Sequence, residues 1–528
     1  MATGVVKRAS AIVRPSGGQG ATTGWKERKE TIGLTFFWLV VLAYAYFIPS
    51  SLDWNTESHL YTTFAIVDHH TLSIDRYQVG LGDKSYARGH YYSDKAPGLA
   101  FMAVPIYAAL RLALPSVQGH SYILYKHLGY YMSQEMVYLR YAITYLLVIM
   151  PSAAMVWLLW LFLAGISGNT GWSMLLAGVY ALGTIAYVYS TWFFSHQIAA
   201  ILLFSSFLLL YMHMRGKRAG PRQLLFTALA GLLAGAAIVC EYPTAVIAAC
   251  IGGYLLAVTR DRIPAALAYV AGMVPPAILA VTYNILAFGK PFATGYNYVN
   301  SSWYHSNVHG GLFGLGDPAS YGVRAPSLYS LWQITFGSYR GIFLISPVLL
   351  LAVAGAFFMW RRRDIRPEFW LCVIVVVLYF LVDASRGLDQ NGWSGGSSVA
   401  SRHLTPMLPF MIIPIVFGFR NRWFRVLFLI LGAISVAIVF TIISTSGLFT
   451  FSDQNPLMNE AFPDFIRGRI GANWVATWFG AYGITGFASL VPLLLVIGVL
   501  TARLRWLFRP DSASRLSSDG SMPQVEAS

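Results

Sequence analysis

Charge is scarce. Asp, Glu, Lys and Arg make up only 11% of these 528 residues, against about 25% in a soluble domain. The deficit excludes an ordinary water-soluble enzyme of this size. Cysteine is nearly absent too, with Cys240, Cys250 and Cys372 as the full set. All three sit in or beside apolar segments, so neither a disulfide framework nor a cysteine metal site is expected. There is no Walker loop, dinucleotide fingerprint or zinc spacing. GLFGLGD (311–317) lacks the strand and helix context of a nucleotide loop. His69-His70 and His305…His309 do not make a convincing metal pattern. No cofactor is therefore expected, and no metal is indicated, with a divalent cation left open. No signal peptide with a small-residue cleavage site is seen, and the first apolar run, 31–48, is too long for an h-region and reads as a retained span.

Long apolar runs are what the sequence has instead. They cover 31–50, 97–114, 137–164, 172–190, 195–214, 223–240, 242–259, 263–288, 337–360, 368–384, 404–419, 424–446 and 475–501. Runs of about 20 apolar residues mark membrane-spanning helices. If all thirteen cross, the basic loop 214–222 shares a side with the acidic stretch 53–96, against the positive-inside rule. Segment 97–114 begins at Pro97-Gly98, holds Pro105 and Arg111, and ends at Pro115. Letting it lie in the interface removes the conflict. Twelve spans then remain, and six basic clusters fall on one side with both termini, as expected for the cytoplasm. The +15 net charge follows from these loops, and no nucleic-acid module accompanies it.

The expected fold class is an all-α polytopic membrane bundle with interfacial helices in a long first outer loop. The expected organisation is a disordered tail at 1–25, an N-terminal module at 26–290 holding outer loop 51–136, a C-terminal bundle at 291–510 and a disordered tail at 511–528. Acidic residues gather in the outer loops, while the span interiors hold almost none. Proton-coupled transporters place ionisable groups at mid-membrane, so chemistry is expected at the outer interface.

Two outer patches stand out, DWNTESHLYTT (53–63) after the first span and GHYYSDKAPG (89–98) before segment 97–114. In this order they resemble the GT-C superfamily of integral-membrane glycosyltransferases, especially bacterial enzymes related to lipid-A aminoarabinose transferases and protein O-mannosyltransferases. The resemblance is best over 31–165. GSYRGIFLISP (337–347) and GWSGGSSVASRHLTPMLPF (392–410) extend it. Where the family often has Asp-Glu and then Arg-Tyr, this chain has Thr56-Glu57-Ser58-His59 with Tyr61. The family's Glu-Lys-Pro becomes Asp94-Lys95-Ala96-Pro97.

The resemblance implies transfer of a sugar from a polyprenyl-phosphate donor to a lipid, protein or cell-wall glycan acceptor outside a bacterial plasma membrane. Glu57 is the candidate base, since an attacking hydroxyl or amine must lose a proton; capping the following helix is its alternative role. Asp94 and Asp75 are further catalytic candidates, with Arg76 a ready ion-pair partner for Asp75. Lys95 is a compact cation suited to the donor phosphate, and Arg402 and Arg340 can fork onto phosphate oxygens. His196, Glu241, Tyr92 and Trp393 are candidate substrate contacts, with Tyr91 and Trp303 also available for stacking. A ligase or polymerase of lipid-linked glycans, or a lipid or sugar transporter, would share many of these features.

Overall fold

The computed structural model describes residues 19–47, 53–113, 123–124, 130–131, 134–300, 325–386, 394–445, 447–449, 454–471, 473–479 and 483–508. Trp303, His305, His309, segment 311–317, Trp393 and the tail 511–528 lie outside them. Helix dominates because the apolar runs can satisfy their backbone groups only within themselves.

Eight described helices are long and apolar enough to cross a membrane: Tyr138–Ser167, Ser195–His213, Pro221–Cys240, Arg262–Phe288, Arg363–Ala384, Arg402–Arg420, Arg422–Ser444 and Gly486–Leu507. A ninth arises if Thr170–Gly183 and Ile185–Thr191 act as one span bent by 62°. Glu30–Tyr46, Gly98–Ala113, Tyr242–Val258 and Pro347–Trp360 are shorter apolar helices. Three of these coincide with runs counted as spans from sequence, and Gly98–Ala113 is the segment assigned to the interface.

Three expectations need correction. The first described helix starts at Gln19, inside the tail expected to be disordered. The run 172–190 is broken, because Thr184 is extended and its side chain accepts from the Ala186 amide. The first loop is not purely helical. It holds helix Trp54–His69, a hairpin of Lys84–Ala87 and His90–Ser93, and a second two-stranded ladder at Ile123–Leu124 and Tyr130–Tyr131.

That first hairpin aims the site. Arg88 and Gly89 form its two-residue turn, both with positive φ, which matches the twist of the flanking strands. Arg88 donates to the Ile285 and Leu286 carbonyls at 3.4 and 3.2 Å, in the last turn of helix Arg262–Phe288, where carbonyls run short of intrahelical donors. Asp75 clips the other strand, accepting from the Tyr91 amide and pairing with His90 Nδ1, both at 2.7 Å. The hairpin therefore delivers Ser93, Asp94 and Lys95 to a defined place. Helix Gly98–Ala113 continues from there and lies along helix Trp54–His69. Thr63 donates to the Ala100 carbonyl at 3.0 Å, and Asp68 takes Tyr107 at 2.6 Å and Arg111 at 3.0 Å.

The basic loops share one end of the bundle. Arg215 Nε pairs with Glu368 at 2.6 Å, and Tyr254 donates to the same carboxylate at 2.8 Å. The Asp261 carboxylate accepts from the Ala219 amide at 2.7 Å. Arg362 lies over Phe417, and Arg425 over Trp172. These contacts join loops 214–222, 259–262, 361–366 and 417–425. The first-loop patches, Glu241 and Arg402 gather away from them.

Candidate functional site

The centre is built by four stretches of chain. Helix Trp54–His69 starts at Asp53, whose side chain accepts from the Thr56 amide at 3.1 Å. The cap fixes the first turn and turns Glu57 inward. Glu57 is 4% exposed, and its Oε1 has no hydrogen-bond partner. Burial pushes the carboxyl up to about 8, against the Arg140 guanidinium and with the Asp53 carboxylate. A carboxyl tuned to that range can exchange a proton near neutral pH. Cap and candidate base are thus different residues, four apart.

Lys95 Nζ lies 2.8 Å from Asp83 Oδ2 and 3.0 Å from Asp94 Oδ2. The Tyr296 ring stands 5.8 Å away. Burial alone would lower the ammonium's pKa, but the two carboxylates more than offset it and raise the group well above its usual value. Burial pushes the Asp94 carboxyl up, with Lys95 opposing. Ser93 braces the turn, meeting the Ser58 hydroxyl at 2.7 Å and accepting from the Lys95 amide at 3.1 Å. Backbone packs tightly around the pair. A Cβ on Gly295 would stand 2.5 Å from Asp94 Cα, and one on Gly98 2.7 Å from the Cys240 amide.

Arg402 faces both halves of the site. Asp53, Asp83, Tyr189 and Glu241 all lie within its electrostatic reach. Its guanidinium sits 5.1 Å from the Phe194 ring, and Nε has no hydrogen-bond partner. The loop ahead of it is held by Tyr189, whose hydroxyl donates to the Val399 carbonyl and accepts from the Val399 amide, both at 2.9 Å. Gly395 and Gly396 have positive φ, and a Cβ at Gly395 would press on Arg402 Cγ at 3.1 Å.

On the far side of Arg402, His196 Nδ1 lies 2.7 Å from Glu241 Oε1. The His403 ring centroid is 5.0 Å from that of His196. His59 is also buried here, and burial followed by Lys95 drives its imidazole down to about 3, leaving it neutral.

The structure thus brings together Glu57, Asp94, Lys95, His196, Glu241 and Arg402. It does not bring the other candidates in. Asp75 holds the hairpin and is half-exposed. Tyr92 packs edge-on to Phe288 in a small aromatic cluster. Arg340 is fully buried, stacked 3.9 Å from the Tyr339 ring centroid and donating to the Gly396 carbonyl at 2.9 Å. That role supports the loop before Arg402. Trp393 lies outside the described residues.

Sequence reasoning passed over Asp83, His59, Tyr296 and His403. Asp83 stands between a glycine turn and the hairpin, a usual place for a solvated turn acid. His403 adjoins Arg402, and that adjacency is the only local signal for it.

No family model matches the chain, and no curated protein matches it in sequence. Among solved structures it is similar to the archaeal oligosaccharyltransferase AglB from Archaeoglobus fulgidus, in complex with an inhibitory peptide and a dolichol-phosphate. Identity is 15% and the TM-score 0.44, over 79% of this chain and 55% of that one. The chain thus matches little more than half the length of that enzyme, and the site described above stands on its own geometry.

Proposed function

We propose that this chain is a membrane glycosyltransferase of the GT-C type that takes a sugar from a polyprenyl-phosphate donor at the outer face of the membrane. The observation that carries the reading is the convergence of Lys95, Arg402 and a nearly buried Glu57 beside the N-terminus of helix Gly98–Ala113. The motif order that resembles the family supports it independently. An ammonium has three protons to donate. Asp83 and Asp94 take two, and the third, with the Arg402 fork, is offered to a donor phosphate. Neutralising that phosphate makes it a better leaving group. Glu57 takes the acceptor's proton as the new glycosidic bond forms and the bond to the lipid phosphate breaks.

Purified protein in detergent, given a labelled polyprenyl-phosphate sugar and a mixed acceptor extract, is expected to release free lipid phosphate and label the acceptor. Lys95→Ala should weaken donor binding by roughly tenfold or more, the scale of a charge-assisted contact of 1.5–3 kcal/mol. Lys95→Arg should recover part of it. Donor binding without any turnover would overturn the enzyme reading in favour of a transporter. Unchanged donor binding in Lys95→Ala would confine Lys95 to its two ion pairs.

A further inference from the structure

The structure assigns a zinc site to His196, Glu241 and His403, and we propose that it binds one Zn²⁺ through two imidazole nitrogens and one carboxylate oxygen. These three side chains each offer a ligand atom, and the atoms all lie within 4.8 Å of one another. They are far apart in the chain, which is why no metal spacing is visible in the sequence. His196 is 2% exposed, yet neither of its ring nitrogens makes a hydrogen bond. Nδ1 of His403 has no hydrogen-bond partner either. Buried polar atoms are nearly always satisfied, so these nitrogens together call for a ligand.

The 2.7 Å approach of His196 Nδ1 to Glu241 Oε1 brings the two atoms together without hydrogen-bond alignment. Two imidazoles and a carboxylate match the donor set that Zn²⁺ uses where one tetrahedral position stays open. Ligand atoms about 2.1 Å from such an ion stand about 3.4 Å from each other. Closing the triad takes side-chain shifts of about an ångström. The Ser195 hydroxyl already donates to Glu241 Oε1, the kind of outer contact that orients a metal carboxylate.

Arg386 and Arg402 lie within electrostatic reach of the triad, and they disfavour a second cation. Each is itself matched by carboxylates, Asp383 beside Arg386 and Asp53 and Asp83 beside Arg402. Two neutral imidazoles and one carboxylate leave the ion itself with one net positive charge, so its fourth position suits water or an anionic oxygen. The ion would also pin together the starts of helices Ser195–His213 and Arg402–Arg420 and the end of Pro221–Cys240. The assignment stands apart from the glycosyl-transfer reading, since it needs only these side chains.

The test uses the full-length protein in detergent, stripped with a chelator and reloaded with Zn²⁺ alone. Elemental analysis after gel filtration should find about one Zn²⁺ per chain. Glu241→Gln and His403→Ala should each lose it, with the folded fraction followed by thermal unfolding. Ser195→Ala keeps all three ligands and should lower Zn²⁺ affinity roughly tenfold, which keeps the test decisive should a ligand variant fail to fold. Cobalt-loaded protein should show the intense visible bands of a four-coordinate ion. Wild-type protein that holds no Zn²⁺ would overturn the assignment. So would variants that hold as much as wild type, or an affinity unmoved by Ser195→Ala.

Discussion

Glu57 shows how one residue's burial and its chemistry are linked. Its carboxyl is pushed up to about 8, well above that of an unfolded glutamate. A raised acid binds its proton more tightly in the folded state, so its stabilising contribution is full below about pH 4.5. That contribution is lost as pH rises through about 8. Glu57→Gln, which cannot ionise, is expected to leave stability little changed at pH 6. At pH 9 it should melt higher than wild type, as thermal unfolding in detergent would show. Under the proposed mechanism the same variant lowers turnover by roughly 10²-fold, and the wild-type rate rises with pH through about 8. A variant that melts like wild type at pH 9 would place the carboxylate in contact with water. A variant with normal turnover would move the base to Asp83 or Asp94, the carboxylates already at Lys95.

Helices Pro221–Cys240 and Arg262–Phe288 pack closely, and their backbones meet at two glycines. A Cβ on Gly231 would stand 1.9 Å from the Tyr269 carbonyl oxygen, and one on Gly272 1.9 Å from that of Ala228. Membrane helices lack a hydrophobic drive to associate and rely on such close packing. Either glycine changed to valine must therefore push the helices apart. The first helix ends at Cys240, against Gly98 and beside Glu241. The second ends where Arg88 grips its last carbonyls. Gly231→Val and Gly272→Val are thus expected to lower thermal stability and to loosen the Asp94–Lys95 turn, although both lie far from it. Cysteine cross-linking between the two helices would report the separation. Unchanged cross-linking and melting in both variants would show that the crossing tolerates a side chain.

For the whole molecule the question is which end faces which side. The basic loops are joined at one end by contacts such as Arg215 with Glu368, and the candidate site gathers away from them. The positive-inside rule then predicts that the basic end faces the cytoplasm. In a background with the native cysteines replaced, Val79→Cys, at a position 72% exposed, should react with an impermeant maleimide in intact cells. Arg218→Cys should react only after permeabilisation. Labelling of Arg218→Cys from outside would mean that helix Gly98–Ala113 crosses the membrane, or that the whole bundle is inverted.

The apolar helices, though not which of them cross, and the separation of basic from acidic loops were legible in the sequence because both are local properties. A helix closes its own backbone hydrogen bonds, so an apolar run of sufficient length declares itself. The break at Thr184 and the hairpin before Asp94 were less visible, since turn geometry and tertiary packing decide them. Motif order pointed to Glu57, Asp94, Lys95 and Arg402. Only the tertiary structure showed that Lys95 is shared between Asp83 and Asp94, that Arg340 and Tyr92 are committed elsewhere, and that His196, Glu241 and His403 meet. Coulombic and ligand interactions depend on distance through space, and distances between residues so far apart along the chain exist only once the helices have packed.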